Sequence, residues 1–226
     1  MTAVAKDIQS NLTQIKDSLP EHVTLVAVSK THPVDAIEAA YATGQRIFGE
    51  NKVQDMVAKY ETMAKDIQWH LIGHLQTNKV KYIAPFVSMI HAVDSEKLLS
   101  EINKRAKAND RVIDVLLQLH IAQESTKFGM NDDELNQLLE VISTYENVRV
   151  RGLMGMATFT DDESQVAQEF QSLKVRFDAV QAKGLASLTQ FDTLSMGMSG
   201  DYSIAIAEGS TMVRVGSSIF GQRHYG

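Results

Sequence analysis

Short apolar runs alternate with segments of helical periodicity along almost the whole chain. A short apolar run bounded by turn residues is typical of a buried strand, whereas apolar positions three and four residues apart are typical of a helix. The runs predict eight strands, at residues 23–29, 46–49, 68–72, 89–93, 115–121, 152–157, 193–198 and 212–215. Helical spacing predicts helices at residues 33–44, 53–64, 77–83, 96–108, 132–145, 162–182 and 201–207. One more helix before the first strand is predicted by Val4, Ile8, Leu12, Ile15 and Leu19.

The order of these elements predicts an α/β fold, a single (β/α)8 TIM barrel with an extra N-terminal helix. An open doubly wound sheet is the alternative, and periodicity does not separate the two. A barrel collects its site from the C-terminal ends of many strands, whereas an open sheet collects it at one switch point. Polar residues follow nearly every predicted strand, which favours the barrel: Lys30, Glu50, Asn51, His74, Asp94, Glu124, Lys127 and Ser199. The length of 226 residues suits one domain, residues 1–226.

Composition and charge narrow the class of protein. Apolar residues make up 44% and charged residues 22%, which is ordinary for a soluble protein, and no apolar run approaches membrane-spanning length. The N-terminal segment lacks the apolar block of a secretory signal, so we expect a cytoplasmic protein. A net charge of −6 without clustered Lys and Arg argues against nucleic-acid binding. The absence of cysteine excludes disulfides, thiolate zinc sites and a cysteine nucleophile.

The segment "LSMGMSGDYSIAIAEGSTMVRVGSSIFG" carries the most chemistry. Strand alternation puts Ser195, Gly197 and Ser199 on one face, and Asp201 is placed to cap the helix that follows. In the last strand the same alternation points Arg214 into the barrel. A guanidinium there needs an acceptor, which is either a protein carboxylate or a ligand atom.

The residues after the last strand suit a phosphate. Gly216, Ser217 and Ser218 offer unhindered backbone N–H groups and two hydroxyls, and Ser199 lies after the neighbouring strand. TIM barrels often bind phosphate in these two loops. Across the predicted mouth, Lys30 ends the first strand with an amine. An aldehyde-bearing ring with a phosphate arm would satisfy Lys30, Arg214 and this loop together, and pyridoxal 5′-phosphate (PLP) is the common cofactor of that shape.

Each of these residues also has a plainer explanation. Lys30 alone could extend to solvent from a strand end. Arg214 could form a buried ion pair with Glu50 or Asp94, and the Ser-Gly runs could be turns.

Other motifs point away from further chemistry. His70 and His74 lie four apart, but in a strand and without a third ligand, so we expect no metal site. Four methionines read as core filler: Met154, Met156, Met196 and Met198. The chain lacks GxGxxG, the Walker pattern and the GxSxG elbow, so dinucleotide, NTP and serine-hydrolase functions lack support.

Seven motifs in order give the chain a family resemblance: "VAVSKTHP", "FGENKVQ", "WHLIGHLQTNK", "ESTKFGM", "GLMGMAT", "SMGMSGD" and "STMVRVGSSIFG". They resemble the PLP homeostasis protein family, also called the YggS/PROSC family, from Val23 onward. The resemblance implies a barrel of the alanine racemase N-terminal type. It implies PLP held as an internal aldimine on Lys30. It further implies phosphate contacts from Ser199, Gly216 and Ser217, with Arg214 facing the pyridine nitrogen. Four more positions match family motifs at the mouth: Asn51, His74, Lys127 and Met156.

The resemblance leads us to expect a PLP carrier without efficient catalysis, active in homeostasis of the cofactor and of amino and keto acids. Alanine racemases use a tyrosine from an additional C-terminal domain of the partner subunit, and this chain ends at "IFGQRHYG", so we expect no such domain. Arg214 resists giving up a proton, so the pyridine nitrogen should stay unprotonated and the ring should be a poor electron sink.

Two alternatives remain open at this point. One is a weak PLP-dependent racemase or lyase that uses Lys30 as its base. The other is a Schiff-base aldolase without cofactor. The expected partners are PLP and apo forms of PLP-dependent enzymes, with no nucleic acid or membrane, and we expect a monomer.

Overall fold

Eight parallel strands close into a barrel in the computed structural model, which describes residues 3–123 and 128–221. Neighbouring strands pair in chain order, and the first pairs with the last, so the predicted (β/α)8 fold is confirmed. The strands are β1 (Thr24–Val28), β2 (Ile47–Glu50), β3 (Gln68–Leu71), β4 (Met89–Val93), β5 (Ile113–Gln118), β6 (Val148–Met154), β7 (Thr193–Met198) and β8 (Met212–Val215).

Helices follow the strands around the barrel. They are α1 (Ala3–Ser18), α2 (Val34–Tyr41), α3 (Val53–Thr62), α4 (Val80–Ile83), α5 (Glu96–Ala108), α6 (Asp132–Val141), α7 (Glu163–Ala182), α8 (Tyr202–Ala207) and α9 (Ser217–Phe220). Short 3-10 turns add residues 77–79, 142–144 and 186–188. The predicted N-terminal helix is α1, which packs against α2 and α9 through its buried Ile8, Leu12 and Ile15. Within the described ranges, no helix combines the length and the apolar character needed to cross a membrane.

The barrel interior is a small core, separate from the larger one between strands and helices. Its apolar side chains are Val26, Met89, Ala92, Leu116, Met154 and Met212. Gly49 of β2 contributes no side chain to it, because a Cβ there would lie 3.0 Å from Val26 Cγ1 and 3.1 Å from Ile72 Cδ1. Buried polar side chains also lie inside the barrel, among them His70, His91, Ser195 and Arg214.

The bounds of β5 and β6 differ from the sequence prediction by more than one residue. β6 begins at Val148 rather than residue 152, because Val148 and Val150 are buried while the arginines between and after them are paired. Arg149 Nε and Arg151 Nη1 lie 2.6 and 3.0 Å from the two oxygens of Asp114 on β5. This ion-pair network lets charged residues occupy the start of a strand. β5 correspondingly begins at Ile113 and ends at Gln118, three residues before the predicted end.

Candidate functional site

A cavity of about 600 Å³ opens at the C-terminal ends of the strands. Residues after β1, β2, β3, β5, β6, β7 and β8 line it, as expected for the site end of a barrel. Eight of the nine predicted site residues line it: Lys30, Asn51, His74, Met156, Ser199, Arg214, Gly216 and Ser217. The ninth, Lys127, and the neighbouring Glu124 lie outside the described residues.

Lys30 stands on a tight turn between β1 and α2. The N–H of His32 donates to the carbonyl of Ser29 at 3.1 Å, and Thr31 adopts φ 68°. A β-branched residue in the left-handed region is strained, so the surrounding contacts must hold this turn in place. The turn leaves Lys30 half-buried with its side chain on the cavity.

Glu50, which was predicted to follow the second strand, is the last residue of β2 and does not line the cavity. Its Oε1 accepts from Lys59 Nζ of α3 at 2.7 Å and from Ser29 Oγ at 2.5 Å. Its Oε2 has no hydrogen-bond partner within the described part of the chain. Burial raises the pKa of Glu50, and the charge of Lys59 opposes that shift. This carboxylate therefore belongs to a buried cluster beneath the turn that presents Lys30.

Arg214 lies at the floor of the cavity and is 4% exposed. Its Nη1 donates to the carbonyl of Ser195 at 2.9 Å and to Ser195 Oγ at 2.5 Å, and its Nη2 donates to the carbonyl of Gly155 at 3.1 Å. Neither Glu50 nor Asp94 pairs with it, and no ion pair to Arg214 occurs among the described residues. Burial lowers the pKa of Arg214 to about 10, so the guanidinium stays protonated at neutral pH.

The alternation predicted for β7 is wrong beyond Ser195. The register with β8 shifts between Ser195 and Met198, which adds a residue to β7 relative to its partner. At Gly197, with φ 96°, a Cβ would point outward and lie 2.6 Å from the Cβ of Ala205 in α8. Ser195 consequently faces the barrel interior, while Met198 and Ser199 face the cavity.

The loops after β7 and β8 are joined by one hydrogen bond. The N–H of Gly216 donates to Ser199 Oγ at 3.1 Å. A Cβ on Gly216 would lie 3.2 Å from the carbonyl oxygen of Val28, so only glycine fits here without displacement. Ser217 begins α9, and the first N–H groups of a helix have no acceptor within that helix. The arrangement gathers hydroxyl and N–H donors at one side of the cavity.

The helix predicted after β7 is present, but its cap differs. Asp201 precedes α8, and its side chain makes no capping bond to that helix. Its Oδ1 instead accepts from the N–H of Met198 at 2.5 Å. The carboxylate therefore fixes the end of β7 and the loop that carries Ser199.

His74 and three apolar side chains form the rim of the cavity. His74 Nδ1 lies 3.2 Å from Asp94 Oδ2, and its ring stacks on Phe128 with centroids 4.2 Å apart. Phe128, Phe159 and Met198 are exposed although apolar. Met156 also lines the cavity, so it and Met198 are not the core filler that the sequence suggested, whereas Met154 and Met196 are buried.

His70 and His74 lie in different environments. His70 is buried in the barrel, where its Nδ1 lies 2.9 Å from His91 Nε2, while His74 is at the rim. Within residues 3–123 and 128–221, no group of three His, Asp or Glu side chains is arranged to hold a metal ion.

Sequence reasoning missed His91 and Gln118. In the run "MIHAV", His91 is two residues after the inward-facing Met89, and that spacing is the signal that could have placed it in the barrel. Gln118 ends β5 and donates from Nε2 to the carbonyl of Phe128 at 3.0 Å, which ties the rim to the barrel.

Comparison with known proteins identifies relatives along the whole chain. The family model of the alanine racemase N-terminal domain matches residues 5–224. The chain is 39% identical over 237 residues to the pyridoxal phosphate homeostasis protein of Vibrio alginolyticus, with 100% of both chains covered. It is 41% identical over 202 residues to the protein of that name from Aquifex aeolicus (strain VF5), covering 89% of this chain and 87% of the relative.

Solved structures of other proteins superpose on this barrel. PipY of Synechococcus elongatus PCC7942, solved with PLP bound, superposes with a TM-score of 0.88 at 36% identity, covering 95% of this chain and 100% of PipY. Alanine racemase from Bartonella henselae superposes with a TM-score of 0.75 at 14% identity, covering 97% of this chain and 61% of the racemase. The second likeness is one of fold alone.

Proposed function

The chain belongs to the pyridoxal phosphate homeostasis protein family, which shares the alanine racemase N-terminal fold, and from this premise we propose that it binds PLP and serves in homeostasis of that cofactor. The observation that carries the proposal is the convergence of three groups on one cavity of about 600 Å³. These groups are the amine of Lys30, the bonded pair Ser199 and Gly216, and the guanidinium of Arg214. PipY, at 36% identity, was solved with PLP bound.

The chemistry of the cavity fits this cofactor. Lys30 would hold it covalently through its amine, and Ser199, Gly216 and Ser217 would hold its phosphate with hydroxyl and N–H donors. Gly216 keeps the approach to its backbone open, because no side chain fits there without displacement. Arg214 would donate to the ring nitrogen. PLP would supply the electrophilic carbon that the Lys30 amine attacks, and an aromatic ring whose nitrogen faces Arg214.

We propose further that the protein carries the cofactor rather than catalysing amino-acid chemistry with it. Arg214 makes three hydrogen bonds to Ser195 and Gly155 and has no carboxylate partner among the described residues. With its pKa lowered only to about 10, the guanidinium keeps its proton at neutral pH and serves as a fixed donor. A pyridine nitrogen that accepts a hydrogen bond but does not take up the proton stays uncharged. A ring with an uncharged nitrogen withdraws electrons weakly.

The remaining assignments belong to the same proposal. Asn51, His74 and Met156 would border the cofactor at the mouth. The chain acts as one domain and as a monomer in the cytoplasm, and hands PLP to apo forms of PLP-dependent enzymes.

The test is the visible spectrum of the purified protein incubated with PLP, before and after borohydride reduction, followed by mass mapping of the adduct. We expect a coloured protein and a reduced adduct on Lys30. Lys30→Ala should lose the adduct, and Lys104→Ala, which alters an exposed lysine of α5, should keep it. An adduct on another lysine of the wild-type protein would overturn the assignment.

A second measurement separates a carrier from a catalyst. The loaded protein is incubated with single amino-acid enantiomers in D2O, and solvent deuterium at Cα is followed. We expect exchange no faster than with free PLP. Exchange well above that background would establish the alternative, a weak racemase or lyase.

A further inference from the structure

Four polar side chains inside the barrel form a continuous hydrogen-bonded chain that ends on Arg214. His70 Nδ1 lies 2.9 Å from His91 Nε2, His91 Nδ1 lies 3.2 Å from Ser195 Oγ, and Ser195 Oγ lies 2.5 Å from Arg214 Nη1. The four residues come from β3, β4, β7 and β8, and none is more than 4% exposed. Nothing in the proposed binding of PLP uses the first three.

The member of this chain that can only donate, Arg214, sets the direction of its own hydrogen bond to Ser195. A guanidinium has no acceptor, so Ser195 Oγ accepts from Arg214. Among the described residues, His91 Nδ1 is the one other polar atom within hydrogen-bond distance of Ser195 Oγ. The hydroxyl satisfies its proton by donating to it, which requires His91 Nδ1 to be unprotonated. A neutral imidazole carries its proton on the other nitrogen, so His91 Nε2 donates to His70 Nδ1.

The surroundings keep both imidazoles neutral. Burial lowers the pKa of His70 to about 3. Burial also lowers the pKa of His91 far below its usual value, with smaller contributions from His70 and Arg214. Neutrality matters because a protonated His91 would present an N–H to Ser195 Oγ and could no longer accept the hydroxyl proton of Ser195.

Of the three acceptors that Arg214 has among the described residues, one can turn away. The carbonyls of Ser195 and Gly155 are fixed by the backbone, whereas the hydroxyl of Ser195 rotates about its C–O bond. We propose that His91 is a positioning residue for Arg214, because it accepts the Ser195 hydroxyl proton and so turns the lone pairs of that oxygen toward the guanidinium. The consequence for the ligand rests on the proposed function: His91 then fixes the donor that faces the cofactor ring.

The first test uses the cofactor-free protein. Long-range ¹H–¹⁵N correlation spectra assign the protonated nitrogen of each imidazole, and His91→Asn identifies the His91 signals by their loss. We expect both His70 and His91 to carry the proton on Nε2 at neutral pH. A proton on His91 Nδ1 would overturn the proposal, whether or not the protein binds PLP.

The second test uses PLP and two substitutions of His91. Asparagine can place an acceptor near the former Nδ1 position, whereas leucine offers none. We expect His91→Leu to weaken PLP binding about tenfold and to shift the visible absorption maximum. His91→Asn should keep the wild-type maximum. Equal shifts in the two variants would refute a role through Ser195 and leave His91 a packing residue.

The third test does not depend on whether His91→Leu folds. Ser195→Ala removes the rotating acceptor. Ser210→Ala is the matched control, since Ser210 is an equally buried serine whose Oγ donates to the carbonyl of Met196 in β7 at 2.8 Å. We expect Ser195→Ala alone to shift the absorption maximum. Identical maxima in both variants would also overturn the proposal. If the wild-type protein bound no PLP, the proposed function would fail while the nitrogen assignment still decided the role of His91.

Discussion

Lys59 and Glu50 form a buried ion pair directly beneath the turn that presents Lys30. Lys59 Nζ lies 2.7 Å from Glu50 Oε1 and also donates to the carbonyl of Ser29 at 2.9 Å, while the Ser29 hydroxyl donates to the same carboxylate oxygen. Ser29 is the residue before Lys30, and Thr31 after it has φ 68°. The pair thus links α3 and β2 to the strained end of β1 and holds the candidate cofactor lysine from below.

Removing the cation of this pair should destabilise the fold strongly. Lys59→Met leaves the carboxylate of Glu50 buried without its ion-pair partner, and we expect a loss of about 3 kcal/mol in the free energy of unfolding at neutral pH. Urea denaturation measures this loss in the free energy of unfolding. The double variant Glu50→Gln/Lys59→Met removes both charges and should recover part of the loss. A single variant no less stable than the double would contradict a buried ion pair.

The same variant should depend on pH in a defined sense. Burial raises the pKa of Glu50, and Lys59 opposes the shift, so Lys59→Met raises that pKa further. The folded state then binds a proton that the unfolded state has released, and the free energy of unfolding falls as pH rises through this window. We expect the deficit of Lys59→Met relative to wild type to shrink as pH is lowered from about 8 to about 5. The double variant with Glu50→Gln lacks this carboxyl, so the fall in its free energy of unfolding between about pH 5 and about pH 8 that marks Lys59→Met should be missing.

The turn at Thr31 offers a stabilising substitution. Asparagine tolerates the left-handed conformation better than a β-branched residue does, so Thr31→Asn should raise the free energy of unfolding by about 0.5 kcal/mol. Thr62→Asn, at the end of α3, is the control and should bring no gain. Urea denaturation of the two variants compares them directly. A loss of stability in Thr31→Asn would mean that the Thr31 side chain makes contacts worth more than the strain.

Periodicity predicted the barrel and placed Arg214 on an inward position, because alternation and helical spacing are local properties of the chain. The polar residues that follow the predicted strands could be assigned to one mouth, because parallel strands of a barrel end on the same side. Periodicity did not find that Lys59, nine residues after Glu50, turns back to that carboxylate, since the contact depends on how α3 packs on the barrel. The outward turn of Gly197 was also missed, because a register shift between strands leaves no trace in the alternation of one strand.

The bond between Ser199 and Gly216 should matter to the phosphate and not to the fold. Ser199 is half-buried, and its Oγ accepts from the N–H of Gly216 at 3.1 Å. Ser199→Ala removes a hydroxyl from the proposed phosphate site and unties the two loops. We therefore expect PLP to bind about tenfold more weakly, with the melting temperature changed little.

A comparison of PLP with pyridoxal, which lacks the phosphate, assigns the effect to that group. Titration of the visible absorbance gives both affinities for wild type, for Ser199→Ala and for the control Ser203→Ala on the exposed side of α8. If Ser199 serves the phosphate, its loss weakens PLP and leaves the affinity for pyridoxal unchanged, because pyridoxal still offers its aldehyde to Lys30 and its ring nitrogen to Arg214. An equal loss for both ligands would place the phosphate elsewhere in the cavity and make the Ser199–Gly216 bond a purely structural contact.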